Sequence, residues 1–397
     1  SIVYDPETDL IYLGTGNASP DYWIGWRRPF DDRFGTAIVA LEIATGKLRW
    51  VRQLVHRDMW DMDLPVGPSL FDYRAPDGRV IPALIQTTKM GQVYFLNRLD
   101  GSPITPIEER PARQDGATPG LAVSPTQPWS VGLPSFTPPP PTERATWGAT
   151  PIDQLLCRID IRRTQGAGIY QPVGLKPIIG HPAFDGVTDW GGAAVDPVRQ
   201  MFVVNTMEMP FKIQLMRRDD PRVGPLLKKK QGGENARAAQ LYTQYNTPYV
   251  AVVQAWIGVF GAPCSAPPWG KLTAVDLNTR KVKWNEIFGT ARDTGLFGTR
   301  IGVPLKTGVP NLGGAIVTAS GIAFIGATTD QYLRAYDLAS GKVLWKARLP
   351  AGAQATPMTY MGRDGRQYVV ITAGGHGALG TAYGDYTLAF ALPPAAR

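Results

Sequence analysis

Ala40-Leu-Glu-Ile-Ala-Thr-Gly-Lys-Leu-Arg-Trp50 recurs as Ala274-Val-Asp-Leu-Asn-Thr-Arg-Lys-Val-Lys-Trp284 and again as Ala335-Tyr-Asp-Leu-Ala-Ser-Gly-Lys-Val-Leu-Trp345. A weaker copy is Tyr94-Phe-Leu-Asn-Arg-Leu-Asp-Gly-Ser-Pro103. Each copy reads as a strand, a tight turn with Gly or a substitute at the strained position, and a second strand. The Trp closes the motif at a fixed place, as expected if it packs against a neighbouring copy. A second element also repeats: Asp5-Pro-Glu-Thr-Asp-Leu-Ile-Tyr-Leu13 is like Asp196-Pro-Val-Arg-Gln-Met-Phe-Val-Val204, and Ala319-Ser-Gly-Ile-Ala-Phe-Ile325 is a looser form. Together they make a four-stranded unit, most complete from about Ala315 to Leu349. Tandem units of this kind stack radially, so the expected fold is all-β, a β-propeller. The repeats support about five or six blades in one incomplete propeller domain over 1–397. Long insertion loops near 101–146 and 208–247 carry Pro and charge with little periodicity.

Composition agrees with many turns and few long helices: Gly 44 and Pro 36 in 397 residues are both high. The net charge is +8, but Lys and Arg are spread along the chain. The one dense run, Lys228-Lys229-Lys230, leads into Gly232-Gly233-Glu234-Asn235 and reads as a solvated insertion. No common nucleic-acid motif is present, so no nucleic-acid partner is expected. Cys157 and Cys264 have no metal-type spacing; whether they pair is left open by the sequence. No apolar run approaches the roughly 18 residues that span a bilayer. Ser1-Ile-Val-Tyr-Asp-Pro already reads as strand and turn, with no signal peptide, so a mature protein or a piece of a longer one is expected.

The densest chemistry lies in His56-Arg-Asp-Met-Trp-Asp-Met-Asp63, directly after a strand-like segment ending near Val55. Carboxylates this close repel one another and need water, a cation or an arginine between them. A solvated acidic loop and a built site both satisfy that requirement.

With Gly14-Thr-Gly-Asn-Ala-Ser-Pro-Asp21, Thr88-Lys-Met-Gly-Gln-Val-Tyr-Phe95, Trp147-Gly-Ala-Thr-Pro-Ile-Asp-Gln154, Asp189-Trp-Gly-Gly192, Leu312-Gly-Gly314, Gln354-Ala-Thr-Pro-Met-Thr-Tyr360 and Ala373-Gly-Gly-His-Gly377, the chain resembles the quinoprotein dehydrogenases that use pyrroloquinoline quinone (PQQ). It is most similar to the membrane-bound glucose/quinate/shikimate group, over essentially its whole length. That group has an eight-bladed propeller behind membrane-spanning helices. The resemblance matches only the later part, so the membrane anchor and opening blades have no counterpart here, with one metal ligand and part of the substrate pocket expected among them. The isolated chain is accordingly expected to bind cofactor weakly.

Alcohol oxidation by hydride transfer needs a base and an electrophilic acceptor. No nicotinamide fingerprint follows a strand and opens a helix. A quinone needs its carbonyl polarised, which a hard cation with oxygen ligands does. The resemblance places the base at Asp61, which also neighbours a calcium or magnesium ion, and leaves Asp58 and Asp63 to orient the loop. Asn17 offers an amide oxygen to the ion, or is a left-handed turn residue. Ser19 matches a hydroxyl position at the metal or cofactor. Lys89 donates to a quinone oxygen, or is a snorkelling lysine. Asn205 resembles a cofactor-contacting amide. Trp60 and Trp269 line the pocket or belong to the core. His376, in a Gly-rich turn, reads as structural. The implied reaction is periplasmic, inner-membrane-associated oxidation of a sugar, polyol or cyclitol hydroxyl, with ubiquinone as electron acceptor. The alternative is a non-catalytic interaction module, or one part of a split enzyme.

Overall fold

The repeated turn is where the sheets of this molecule meet. The computed structural model describes residues 1–229, 239–293 and 300–393. In it, Ile2–Asp5, Leu10–Gly14, Ala37–Glu42 and Leu48–Gln53 form an antiparallel sheet in chain order. Ala315–Val317, Ile322–Ile325, Tyr332–Asp337 and Val343–Arg348 do the same. A third such sheet joins Ala193–Asp196, Met201–Met207, Gly270–Asp276 and Lys281–Ile287, with a long excursion between its second and third strands. Three-stranded sheets are built from Ser69–Arg74, Val80–Thr87 and Val93–Asn97, and from Met358–Met361, Gln367–Ala373 and Tyr386–Phe390. The architecture is a β-propeller.

In the three strong copies the register shifts by a bulge at the same place, between Ala40 and Leu41, Ala274 and Val275, and Ala335 and Tyr336. A bulge sharpens local twist and aims the following turn. The turn then places Gly46, Arg280 or Gly341 at positive φ, 68°, 57° and 73°. The closing Trp docks on the next repeat. Trp50 donates its indole N–H to the Arg98 carbonyl at 3.0 Å, and Trp284 donates to the Leu338 carbonyl at 2.7 Å. Arg98 and Leu338 hold equivalent positions in their turns. A Cβ on Gly341 would stand 2.7 Å from the Trp284 ring, so only glycine lets the indole lie flat against that turn. Trp345 is different: it is 39% exposed and meets Phe390 edge-on at 5.2 Å.

The segment near 208–247, expected as a loop, is partly strand. Phe211–Arg217 and Gln240–Tyr242 join Ile178–Gly180 and Tyr249–Ala255 in a further four-stranded sheet. The alternation Phe211-Lys-Ile-Gln-Leu215 is a strand signal, buried on its apolar side. Between the two strands, Lys228 and Lys229 end the helix Val223–Lys229; the rest of that polar run, 230–235, lies outside the described residues. Within 101–146, Ile107–Pro111 pairs with Thr126–Ser130 and the remainder is irregular. Cys157, on the helix Pro151–Arg162, is disulfide-bonded to Cys264. Among the described residues no helix is long and apolar enough to cross a membrane.

Candidate active site

The acidic loop after Leu48–Gln53 is built around Asp58. Its buried carboxylate accepts hydrogen bonds from Thr36 Oγ1 (2.7 Å), Trp60 N (2.9 Å) and Met62 N (3.0 Å). These bonds satisfy Asp58 inside the fold and bend the chain, with Arg57 at φ 46° and Asp61 at φ 60°. Left-handed backbone is tolerated by Asp better than by most residues. Trp60 is core: it is 4% exposed, donates to the Gln171 carbonyl and meets Tyr170 at 5.2 Å. His56 faces outward, between Gln53 and Glu109.

Lys89 comes to this loop from the far end of Val80–Thr87, two residues past the strand, and is 6% exposed. Its ammonium donates to Asp63 Oδ1 at 2.7 Å and to the Asp61 carbonyl at 3.0 Å, with Asp61 Oδ1 at 4.0 Å. Gly186, at φ 70°, lies against its stem; a Cβ there would stand 2.6 Å from Lys89 Cγ, so the lysine's path depends on that glycine. Asp185 and Asp189 are carried in with the Gly186 turn, and each has a buried Oδ1 with no hydrogen-bond partner. Asp21 lies close enough to be felt electrostatically by Asp61 and Asp63.

This crowding sets the protonation. Burial pushes the Asp61 carboxyl up to about 9; Lys89 opposes the shift and a hydrogen bond with Asp63 adds to it. Burial would also raise Asp63, but Lys89 and the bonds from Asp61 and Lys89 hold it below the ordinary range. Burial alone would lower Lys89, and the charges of Asp61, Asp63 and Asp189 outweigh that and raise it. Burial lifts Asp185 to about 8 and Asp189 to about 7. Several carboxyls thus share one ammonium, and two of them have an orphaned oxygen. A cluster with that excess of carboxyl oxygens suits a hard cation. Among the described residues, no three His, Cys, Asp or Glu side chains are grouped to hold an ion by themselves.

The other expected residues fall at different distances from this centre. Asn17 is tied to it through Arg27, whose Nη2 donates to Asn17 Oδ1 (2.9 Å) and to the Asp58 carbonyl (2.7 Å). Ser19 is exposed, before the cis Ser19–Pro20 bond, and its hydroxyl makes no hydrogen bond among the described residues. Asn205 lies inside Met201–Met207. Both its amide hydrogens are taken, by Asn311 Oδ1 (2.6 Å) and the Gly313 carbonyl (2.9 Å), which clamps the loop after Val309. Trp269 is half-buried, donates to the Ser265 carbonyl and meets Trp147 at 5.5 Å. Those contacts tie it to the disulfide-bearing loop. His376 is packed beside Trp190, their rings 5.6 Å apart. Arg27, Asp21, Asp185 and Asp189 were not singled out from the sequence. Asp21 and Asp189 stand inside quoted motifs, which was their signal; Arg27 had none.

The chain belongs to the PQQ family of β-propellers: residues 1–369 match the domain described as "Glucose/ethanol/alcohol dehydrogenase, beta-propeller domain". It is 42% identical, over 99% of its length and 54% of the relative's, to "Glycerol dehydrogenase large subunit" of Gluconobacter thailandicus. It is equally 42% identical, over 98% of its length and 48% of the relative's, to "Quinoprotein glucose dehydrogenase" of Escherichia coli (strain K12). The chain therefore spans about half the length of the curated relatives it matches. Among solved structures, quinohemoprotein alcohol dehydrogenase from Comamonas testosteroni superposes with a TM-score of 0.56 at 23% identity, covering 94% of this chain and 44% of that one. This last likeness is one of fold.

Proposed function

We propose that this chain carries the quinone-binding centre of a PQQ-dependent dehydrogenase that oxidises a hydroxyl of a sugar, polyol or cyclitol. The observation that supports it best is Lys89: a buried ammonium held by one carboxylate and one carbonyl of the acidic loop, beside Asp185 and Asp189, each with a buried Oδ1 that has no donor. Asp61 is the base, at the turn that the Asp58 network bends. Lys89 donates to the acceptor as negative charge develops there. Asp63 holds the Lys89 ammonium in place. Asp61 and Asn17 are the protein's oxygen donors to calcium or magnesium, a hard-cation set. An Asp near 9 is a neutral acid at pH 7, and a divalent cation beside it would restore the anion that a base requires. Bound here, PQQ would supply the two-electron acceptor and the cation its polarisation. Ser19, Asn205 and Trp269 belong to the cofactor's outer walls in this scheme, and Asn205 acts with its amide oxygen alone. Electrons would leave to ubiquinone at the periplasmic face of the inner membrane.

The test is uptake followed by turnover. The purified chain is titrated with PQQ in the presence and absence of calcium and followed by absorbance. Dye reduction is then measured with glucose, glycerol and quinate. Calcium-dependent uptake with substrate-dependent reduction supports an enzyme. No uptake at any calcium concentration overturns the assignment in favour of an interaction module or one part of a split enzyme.

A further inference from the structure

The helix Pro151–Arg162 turns Asp153, Cys157 and Ile161 into the protein and exposes four aliphatic residues on its other side. Ile152 is 66% exposed, Leu155 55%, Leu156 41% and Ile159 38%. Their spacing, i, i+3, i+4 and i+7, places all four in one stripe. A soluble surface ordinarily scatters its exposed apolar residues singly; a contiguous stripe rimmed by charge marks a contact site. The Cys157–Cys264 disulfide anchors the opposite face, so the stripe cannot fold inward by rotating the helix.

The surrounding charge identifies the contact. At 100° per residue Arg158 and Arg162 flank one edge of the stripe, and Arg163 caps the C-terminal end. On the other edge Asp160 is neutralised by Lys212 at 2.9 Å. Glu143 is shared between Arg158 (3.1 Å) and Arg162 (2.6 Å), so one carboxylate answers two guanidinium groups. The rim is therefore net cationic. The stripe is convex and purely aliphatic, without the aromatic anchors that dominate protein–protein contacts. An exposed apolar stripe bordered by arginines is the pattern of a helix lying in a lipid interface. We infer that this helix is a peripheral docking element for an anionic phospholipid surface, with Ile152, Leu155, Leu156 and Ile159 entering the acyl boundary and Arg158, Arg162 and Arg163 meeting the headgroups.

The experiment is co-sedimentation of the purified chain with vesicles of phosphatidylglycerol and phosphatidylcholine in equal parts, and with phosphatidylcholine alone. The chain is expected in the pellet with the anionic vesicles at low salt, released by salt, and largely in the supernatant with neutral ones. Leu155→Glu with Ile159→Glu withholds two aliphatic side chains and should weaken binding at least about tenfold. Both positions are exposed, and a retained circular dichroism spectrum and disulfide confirm the fold. Arg158→Gln with Arg162→Gln should weaken anionic binding and flatten its salt dependence. Absence of the wild-type chain from the anionic pellet at low salt overturns the proposal, as does equal binding by the Leu155→Glu/Ile159→Glu variant. If the wild type instead self-associates in sedimentation velocity and that variant is monomeric, the stripe is a protein contact and the lipid assignment fails.

Discussion

Asp330 and Lys89 mark two polar centres with opposite character. The Asp330 carboxylate is fully buried and accepts from Thr290 N and Thr290 Oγ1 (both 2.9 Å), Thr328 Oγ1 (2.5 Å) and Arg334 Nη2 (2.5 Å). Both oxygens have at least one donor, and one guanidinium balances one carboxylate. At Lys89 one ammonium faces Asp61, Asp63 and Asp189, and buried oxygens of Asp185 and Asp189 have no donor. A closed network is finished by folding. An open one, with more carboxyl oxygens than the protein has donors for, is completed by something that binds.

The largest effect that would break this contrast is on turnover. In active preparations Asp61→Asn should lower substrate-dependent dye reduction by about 10²–10⁴-fold while quinone uptake, read by absorbance, persists. Asp58→Asn should act on stability instead, because the amide replaces an acceptor of two backbone N–H groups and a hydroxyl; a loss of about 1–3 kcal/mol in urea unfolding is expected. Near-full turnover in Asp61→Asn alongside a dead but folded Asp58→Asn would reverse the two roles.

Next come two stability effects of a few kcal/mol and opposite sign. Arg334→Ala strands a buried carboxylate and should cost about 3–5 kcal/mol. Asp185→Asn removes a buried carboxyl that must take up a proton on folding and should stabilise the cofactor-free chain at neutral pH. Burial raises Asp185 from 3.8 to about 8, so the folded state binds its proton more tightly than the unfolded state. Its contribution to stability is fully present below pH 3.8 and is lost as pH rises towards 8. Asp189, raised to about 7, adds the same trend. Urea midpoints of the wild-type chain should therefore fall between pH 5 and pH 8, and Asp185→Asn should fall less. A variant that tracks the wild type throughout would show that Asp185 is already solvated.

How far each centre was legible follows from sequence distance. The turn copies were readable because Gly or Arg at positive φ, the bulge and the closing Trp all fall within eleven residues. That the indole of Trp50 reaches Arg98, in the weakest copy, depends on the next sheet. The acidic loop was conspicuous as a cluster, but the separate jobs of Asp58 and Asp61 were not, since Thr36 lies 22 residues away in the turn before Ala37–Glu42. Lys89 was found by resemblance; its bond to Asp63 joins residues 26 apart. Arg27 and Asp185 are ordinary residues until the fold brings them to the site, and Asp189 had only its motif to mark it. The strand Phe211–Arg217 was passed over because Pro and charge around it outweighed five alternating residues.

The smallest effect is the sharpest check on the closed centre. Thr290→Val keeps shape and leaves the backbone N–H of residue 290 in place, so Asp330 loses one of four donors. A hydrogen bond to a charged acceptor contributes about 1.5–3 kcal/mol, and the remaining three donors, Arg334 among them, relax to cover part of that loss. A decrease of about 1–2 kcal/mol in unfolding free energy is expected, with the affinity for PQQ and calcium unchanged. If Thr290→Val leaves stability intact but weakens cofactor uptake, the Asp330 network is coupled to ligand and is not closed. The distinction between a structural and a binding carboxylate would then have to rest on position in the propeller, not on whether its oxygens are satisfied.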